Sequence, residues 1–118
     1  MTRLLFLLAV LLVVSPRTPA HAFPPDPVIV AMAQHLVQEH YMFGGAGHYH
    51  VEFDSSYLFS QPRETLWVVV GGFVSDQSNF NSFTAAVFLD CPKFEEVKCW
   101  SLEKLSINGE IVLDRKRI

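Results

Sequence analysis

The chain reads as α+β: one N-terminal helix packed on an antiparallel meander of four to five strands, closed by one disulfide. Three observations predict this. A single breaker-free stretch with helical spacing of apolar residues runs from Pro27 to Phe43. Everything after Gly47 alternates or runs apolar over strand lengths, with turn residues between the runs. The two cysteines, Cys91 and Cys99, sit close together late in the chain.

The first residues read as a targeting segment rather than as fold. Arg3 supplies a positive start, and Leu4 to Val14 is unbroken apolar sequence. Ala20-His21-Ala22 then presents small residues where a signal peptidase reads them. The apolar run is well short of the roughly 20 residues that cross a bilayer. Residues 1–22 are therefore read as a signal peptide and residues 23–118 as a single small domain, secreted or periplasmic, with no integral membrane span after cleavage. The whole chain of 118 residues carries a formal charge of −3. A nucleic-acid partner would require a basic footprint, so that class is excluded. Arg115-Lys116-Arg117 is the one basic cluster and reads as a solvated tail. In an oxidising compartment Cys91 and Cys99 are expected to pair.

Asp26-Pro27 opens the helix, with Asp26 expected as N-cap and Pro27 as first helical residue. Ile29, Ala33, Leu36, His40 and Phe43 form its apolar stripe, and Gly44-Gly45-Ala46-Gly47 ends it. The first strand starts at Gly47. Its period of two sets His48, His50, Glu52 and Asp54 on one side and Tyr49, Val51 and Phe53 on the other. Gln61 to Glu64 is a turn. Thr65–Val74 and Phe80–Leu89 are apolar on both faces, which places them centrally in the sheet. A further strand is expected over Val97–Ile107, then an Asn108-Gly109 turn of type I′ and a last strand from Glu110 to Asp114.

Helix followed by meander resembles the cystatin-like folds, which include the nuclear-transport-factor-like domains. Residues 67–74, WVVVGGFV, resemble the Q-x-V-x-G hairpin of cystatins, with Trp67 or Leu66 standing where the Gln would be. The resemblance implies a protease inhibitor presenting that hairpin. The nuclear-transport-factor-like variant implies a pocket between helix and sheet lined by His40 and a carboxylate.

Two further functional readings come from the residues themselves. One helix covers one face of a sheet whose central strands are apolar on both. The uncovered face is then a contact surface for a protein partner, for a second copy of the chain or for a small apolar ligand. Trp67, Val69, Phe73 and Phe83 are assigned to it, and no cofactor is required. In the alternative reading, His48, His50 and Glu52 form a row able to hold Zn or Cu, because alternate strand residues lie about 6.5–7 Å apart and imidazoles can lean inward. No nucleophile context and no phosphate loop is present. The chain is thus expected to bind rather than to catalyse.

Overall fold

The computed structural model describes residues 24–45, 51–75 and 79–115, with side chains omitted for residues 43–45. The signal peptide reading, His48 and His50 all fall outside these residues. Helix α1 spans Asp26–Glu39 and continues without a break into a π-helical turn, His40–Gly45. Five strands follow: β1 (Val51–Arg63), β2 (Leu66–Ser75), β3 (Phe80–Leu89), β4 (Trp100–Ile107) and β5 (Glu110–Asp114). They form one antiparallel sheet in the order β1-β2-β3-β4-β5, so every neighbour in sequence is a neighbour in space. A chain apolar on both faces at β2 and β3 gains most by pairing on both edges, and these two strands are indeed interior.

Cap and strand boundaries differ from expectation in three places, each for a local reason. The N-cap is Pro25, whose carbonyl accepts from the N–H groups of Val28 (2.9 Å) and Ile29 (3.2 Å). Asp26 thus lies in the first helical turn, where its charge complements the helix dipole. Strand β1 runs through Gln61 and Pro62 to Arg63 before a tight turn at Glu64–Thr65. Pro62 is tolerated because β1 is an edge strand, where a missing N–H costs no ladder bond. Residues Val97–Cys99 form a short 3-10 turn, so β4 starts only at Trp100. Residues 66–75 are one uninterrupted strand, as the Thr65–Val74 run predicts. Gly71 pairs with Ser56 on one side and Phe83 on the other. WVVVGGFV is therefore no hairpin tip, and the protease-inhibitor implication of the cystatin resemblance loses the element that would carry it.

The core lies between α1 and one face of the sheet. Ile29, Ala33, Leu36 and Val37 of the helix meet Val51, Trp67, Val69, Phe73, Phe83, Ala85, Val87, Trp100, Leu102 and Leu105. Phe73 sits at its aromatic centre, with ring centroids 5.1 Å from Tyr41, 5.8 Å from Phe53 and 6.3 Å from Phe83. The Cys91–Cys99 disulfide closes the connection between β3 and β4. Asn108 and Gly109 both take positive φ, 54° and 84°, as a type I′ turn requires. Asn108 also ties that turn to β3: its Oδ1 accepts from the Ser82 N–H (3.0 Å) and its Nδ2 donates to Asn81 Oδ1 (2.9 Å).

The two adjacent glycines of β2 are needed for opposite reasons. A Cβ on Gly71 would meet Ser56 Oγ at 2.4 Å and backbone atoms of Ser55 and Ser56 at 2.8 Å. Gly71 makes room for the bulge of β1 at that level, where Gln34 Nε2 donates to Ser56 Oγ (2.9 Å). On the other face, a Cβ on Gly72 would meet first the ring of Phe80 (2.6 Å) and then the Asn81 carbonyl (3.3 Å). Gly71→Ala is expected to cost on the order of 1–3 kcal/mol, because backbone must move. Gly72→Ala is expected to cost much less, because the exposed Phe80 ring can swing aside. Urea midpoints of the two variants check this; equal losses would contradict it.

Candidate functional site

Among the described residues three surface regions stand out as candidates for function. The first is the sheet face away from the helix. The register brings together Tyr57, Val70, Thr84 and Ser106 in one cross-strand row, Ser60, Val68, Ala86 and Lys104 in a second, and Glu52, Val74 and Phe80 in a third. Tyr57 is 59% exposed and Phe80 62%. Phe59, beside a bulge on the same edge strand as Tyr57, is 65% exposed. Between these rings the face dips over small residues into a depression of about 450 Å³ lined by Tyr57, Val70, Ser82, Thr84 and Ser106.

The residues assigned to this face from sequence are on the other one. Trp67, Val69, Phe73 and Phe83 are all buried beneath α1. The two rows themselves are as the period of two divides them; the helix has taken the opposite row from the one expected. The physical reason lies in β3. The row shared with Val68, Val70 and Val74 carries Ser82 and Thr84, whose hydroxyls would lose water under a helix. The row of Trp67, Val69 and Phe73 faces Phe83, Ala85 and Val87, which lose nothing. That alternation was the available signal.

The second region is a groove at the carboxyl end of α1, against β4 and β5. Leu36, Trp100, Leu102 and Leu113 form an apolar lining, and Glu39, His40, Ser101 and Arg115 the polar one, around about 390 Å³. His40 stands where the helix passes from α to π, and its backbone N–H donates to both Leu36 and Val37 carbonyls. Arg115 is exposed, as expected from sequence, but it is tied to the sheet. Its Nε donates to the Leu102 carbonyl (2.7 Å) and its backbone N–H to the Glu103 carbonyl (2.8 Å). Sequence carried a signal here too, since Leu113 and Arg115 fall on the same side of an extended chain. Lys116 and Arg117 lie outside the described residues.

The third region is an open groove of about 520 Å³ between the first turns of α1 and the edge strand, lined by Val30, Ala31, Gln34, Ser56 and Leu58. Of its polar groups, Gln34 and Ser56 are bonded to each other, and Asp26 and Tyr57 also line it.

Of the expected metal row, Glu52 is described and is exposed, as is Asp54. Among the described residues no three His, Cys, Asp or Glu side chains are grouped to hold a metal. His35 is exposed on the helix. Glu103, in the β4 bulge between Leu102 and Lys104, is a carboxylate with 0% exposure. The Ser101 hydroxyl donates to its Oε2 at 2.5 Å, which offsets part of the cost of burying it. Among the described residues no helix is long and apolar enough to cross a membrane.

Comparison of the chain with protein-family models, with curated proteins and with solved structures gave no match.

Proposed function

We propose that this chain is a small exported binding protein that works without catalysis, and that its contact surface is the sheet face opposite α1. One observation carries the reading: three aromatic rings, Tyr57, Phe59 and Phe80, stand more than half exposed on the side or edge of the sheet that the helix leaves open. Exposed rings flanking a floor of Val68, Val70 and Val74 are the composition of a recognition surface, in which aromatic residues anchor and small hydroxyl residues adapt. Five strands of 5 to 13 residues, about 4.8 Å apart at ~3.3 Å per residue, offer on the order of 700 Å², close to what one side of a standard protein interface buries. The partner is a protein, and a second copy of the chain fits as well as another. Export rests on the Arg3 to Ala22 pattern, with which the Cys91–Cys99 disulfide is consistent.

The test is a double variant, Tyr57→Ser with Phe59→Ser. The parent protein is expected to self-associate in sedimentation or to enhance the emission of anilinonaphthalene sulfonate. The variant is expected to lose about tenfold in that affinity, an effect of the size that truncating anchor residues produces, while its melting temperature stays within a few degrees of the parent. A parent that stays monomeric at high concentration and takes up no probe overturns the reading.

A further inference from the structure

We infer that the groove between the end of α1 and strands β4 and β5 is a second binding site, built for a small molecule with one carboxylate and an apolar body. The site is separate from the open sheet face and independent of the function proposed for it.

Its polar end is organised around Arg115. The Nε of this side chain is committed to the Leu102 carbonyl at 2.7 Å, and the backbone is held by Glu103. Those bonds fix the guanidinium plane. Among the described residues the two terminal amino groups of Arg115 have no hydrogen-bond or ion-pair partner. A guanidinium oriented through Nε and open at its other edge presents the planar fork that a carboxylate meets with two parallel hydrogen bonds. His40 lines the same groove, and its ring likewise has no side-chain partner among the described residues. In its neutral form it supplies one further donor, and in its charged form two.

Two features of the helix support this placement. His40 opens a π-helical turn, a rare local geometry that recurs at functional sites. Because the helix continues to Gly45, the negative end of its dipole falls a turn beyond His40 instead of at the groove. The apolar part of the ligand would lie along Leu36, Trp100, Leu102 and Leu113. The volume, about 390 Å³, falls within the range of small-molecule sites. Glu39 on the same rim narrows the class. It is not paired with Arg115, and with the buried Glu103 behind Ser101 it leaves the guanidinium without an excess of positive charge around it. A polyanion such as a phosphate ester finds no net positive well there, so recognition rests on the fork and favours a monocarboxylate.

The experiment titrates the purified protein with decanoate below its micellar concentration, in parallel with decanol and decyltrimethylammonium. Trp100 lines the groove and packs at a tilt against Trp67, with ring centroids 5.5 Å apart, so tryptophan emission and the Trp100 indole N–H resonance report occupancy. Decanoate is expected to bind saturably and about tenfold more tightly than either control, the step that charge-assisted bidentate bonds confer. Arg115→Gln is expected to remove that preference and Arg115→Lys to restore only part of it, since an ammonium lacks the fork. The Tyr57→Ser, Phe59→Ser variant is expected to bind decanoate as the parent does. Equal affinity for decanoate and decanol, or no effect of Arg115→Gln, overturns the site. Shifts confined to Tyr57, Val70 and Phe80 overturn it while leaving the sheet-face reading in place.

Discussion

Phe73→Ala is expected to lower the stability of the fold by about 3–5 kcal/mol, the cost of truncating a buried aromatic ring. Phe73 is 0% exposed and touches rings on three different elements: Tyr41 after the helix, Phe53 on β1 and Phe83 on β3. None of these can collapse into the space without moving a strand or the helix, so the cavity penalty is paid nearly in full. A domain of this size holds about 5–15 kcal/mol in total. Each kcal/mol is worth roughly 4–8 °C in a domain of 60–100 residues. The melting temperature should therefore fall by more than about 10 °C. Trp67→Ser should behave in the same way, because Trp67 is buried too and packs against the Trp100 ring. Phe80→Ala, on the open face, is the control and should cost no more than about 1 kcal/mol. Chemical denaturation of the three variants checks the assignment of faces. A Phe73→Ala protein as stable as Phe80→Ala would mean that the helix covers the other row.

Removing the disulfide is expected to have the next largest effect. For a loop as short as Cys91 to Cys99 the chain-entropy model gives about 2–3 kcal/mol, and small exported domains lose about 2–5 kcal/mol on losing a native bridge. The bridge restrains more than its own loop. Asp90 donates its N–H to the Cys99 carbonyl at 2.7 Å, and the Trp100 indole N–H donates to the Phe94 carbonyl at 2.9 Å. Trp100 enters the core next to buried Cys99, so slack in the loop is passed to the tilted Trp67–Trp100 ring contact. The Cys91→Ser, Cys99→Ser protein should show a lower urea midpoint and a weakened near-ultraviolet tryptophan dichroism. Its far-ultraviolet spectrum should be unchanged at low denaturant. Identical midpoints for parent and variant would show that the bonds of the loop suffice without the bridge.

Much of the architecture is legible along the chain because it depends on local chemistry. The Asn108-Gly109 turn follows from two residues that tolerate positive φ. The interior position of β2 and β3 follows from valines and aromatics on both their faces. The helix end drifts by a few residues, because a π turn carries it through Gly44 and Gly45. Nothing in a single stretch announces such a turn, since its hydrogen bonds compete closely with ordinary helical ones. The candidate sites are less legible. Arg115 looks like one of three solvated basic residues until the sheet brings Leu102 within 2.7 Å of its Nε. Leu36 and His40 from the helix meet Leu113 from the last strand only in the folded chain.

By itself, then, the order of residues determined one helix, an antiparallel meander, a cysteine pair and two separable rows on the central strands, because each is set by periodicity, backbone preference or short-range closure. Only the tertiary structure decided which row the helix would cover. Both rows are apolar enough to attract it, and the choice turned on what each would lose: the row with Ser82 and Thr84 keeps its water, and the row with Phe73 and Phe83 buries mostly hydrocarbon, with Ser75 and Asn81 the polar residues it takes in. That difference is summed over several strands at once, and it is what left Tyr57, Phe59 and Phe80 facing solvent.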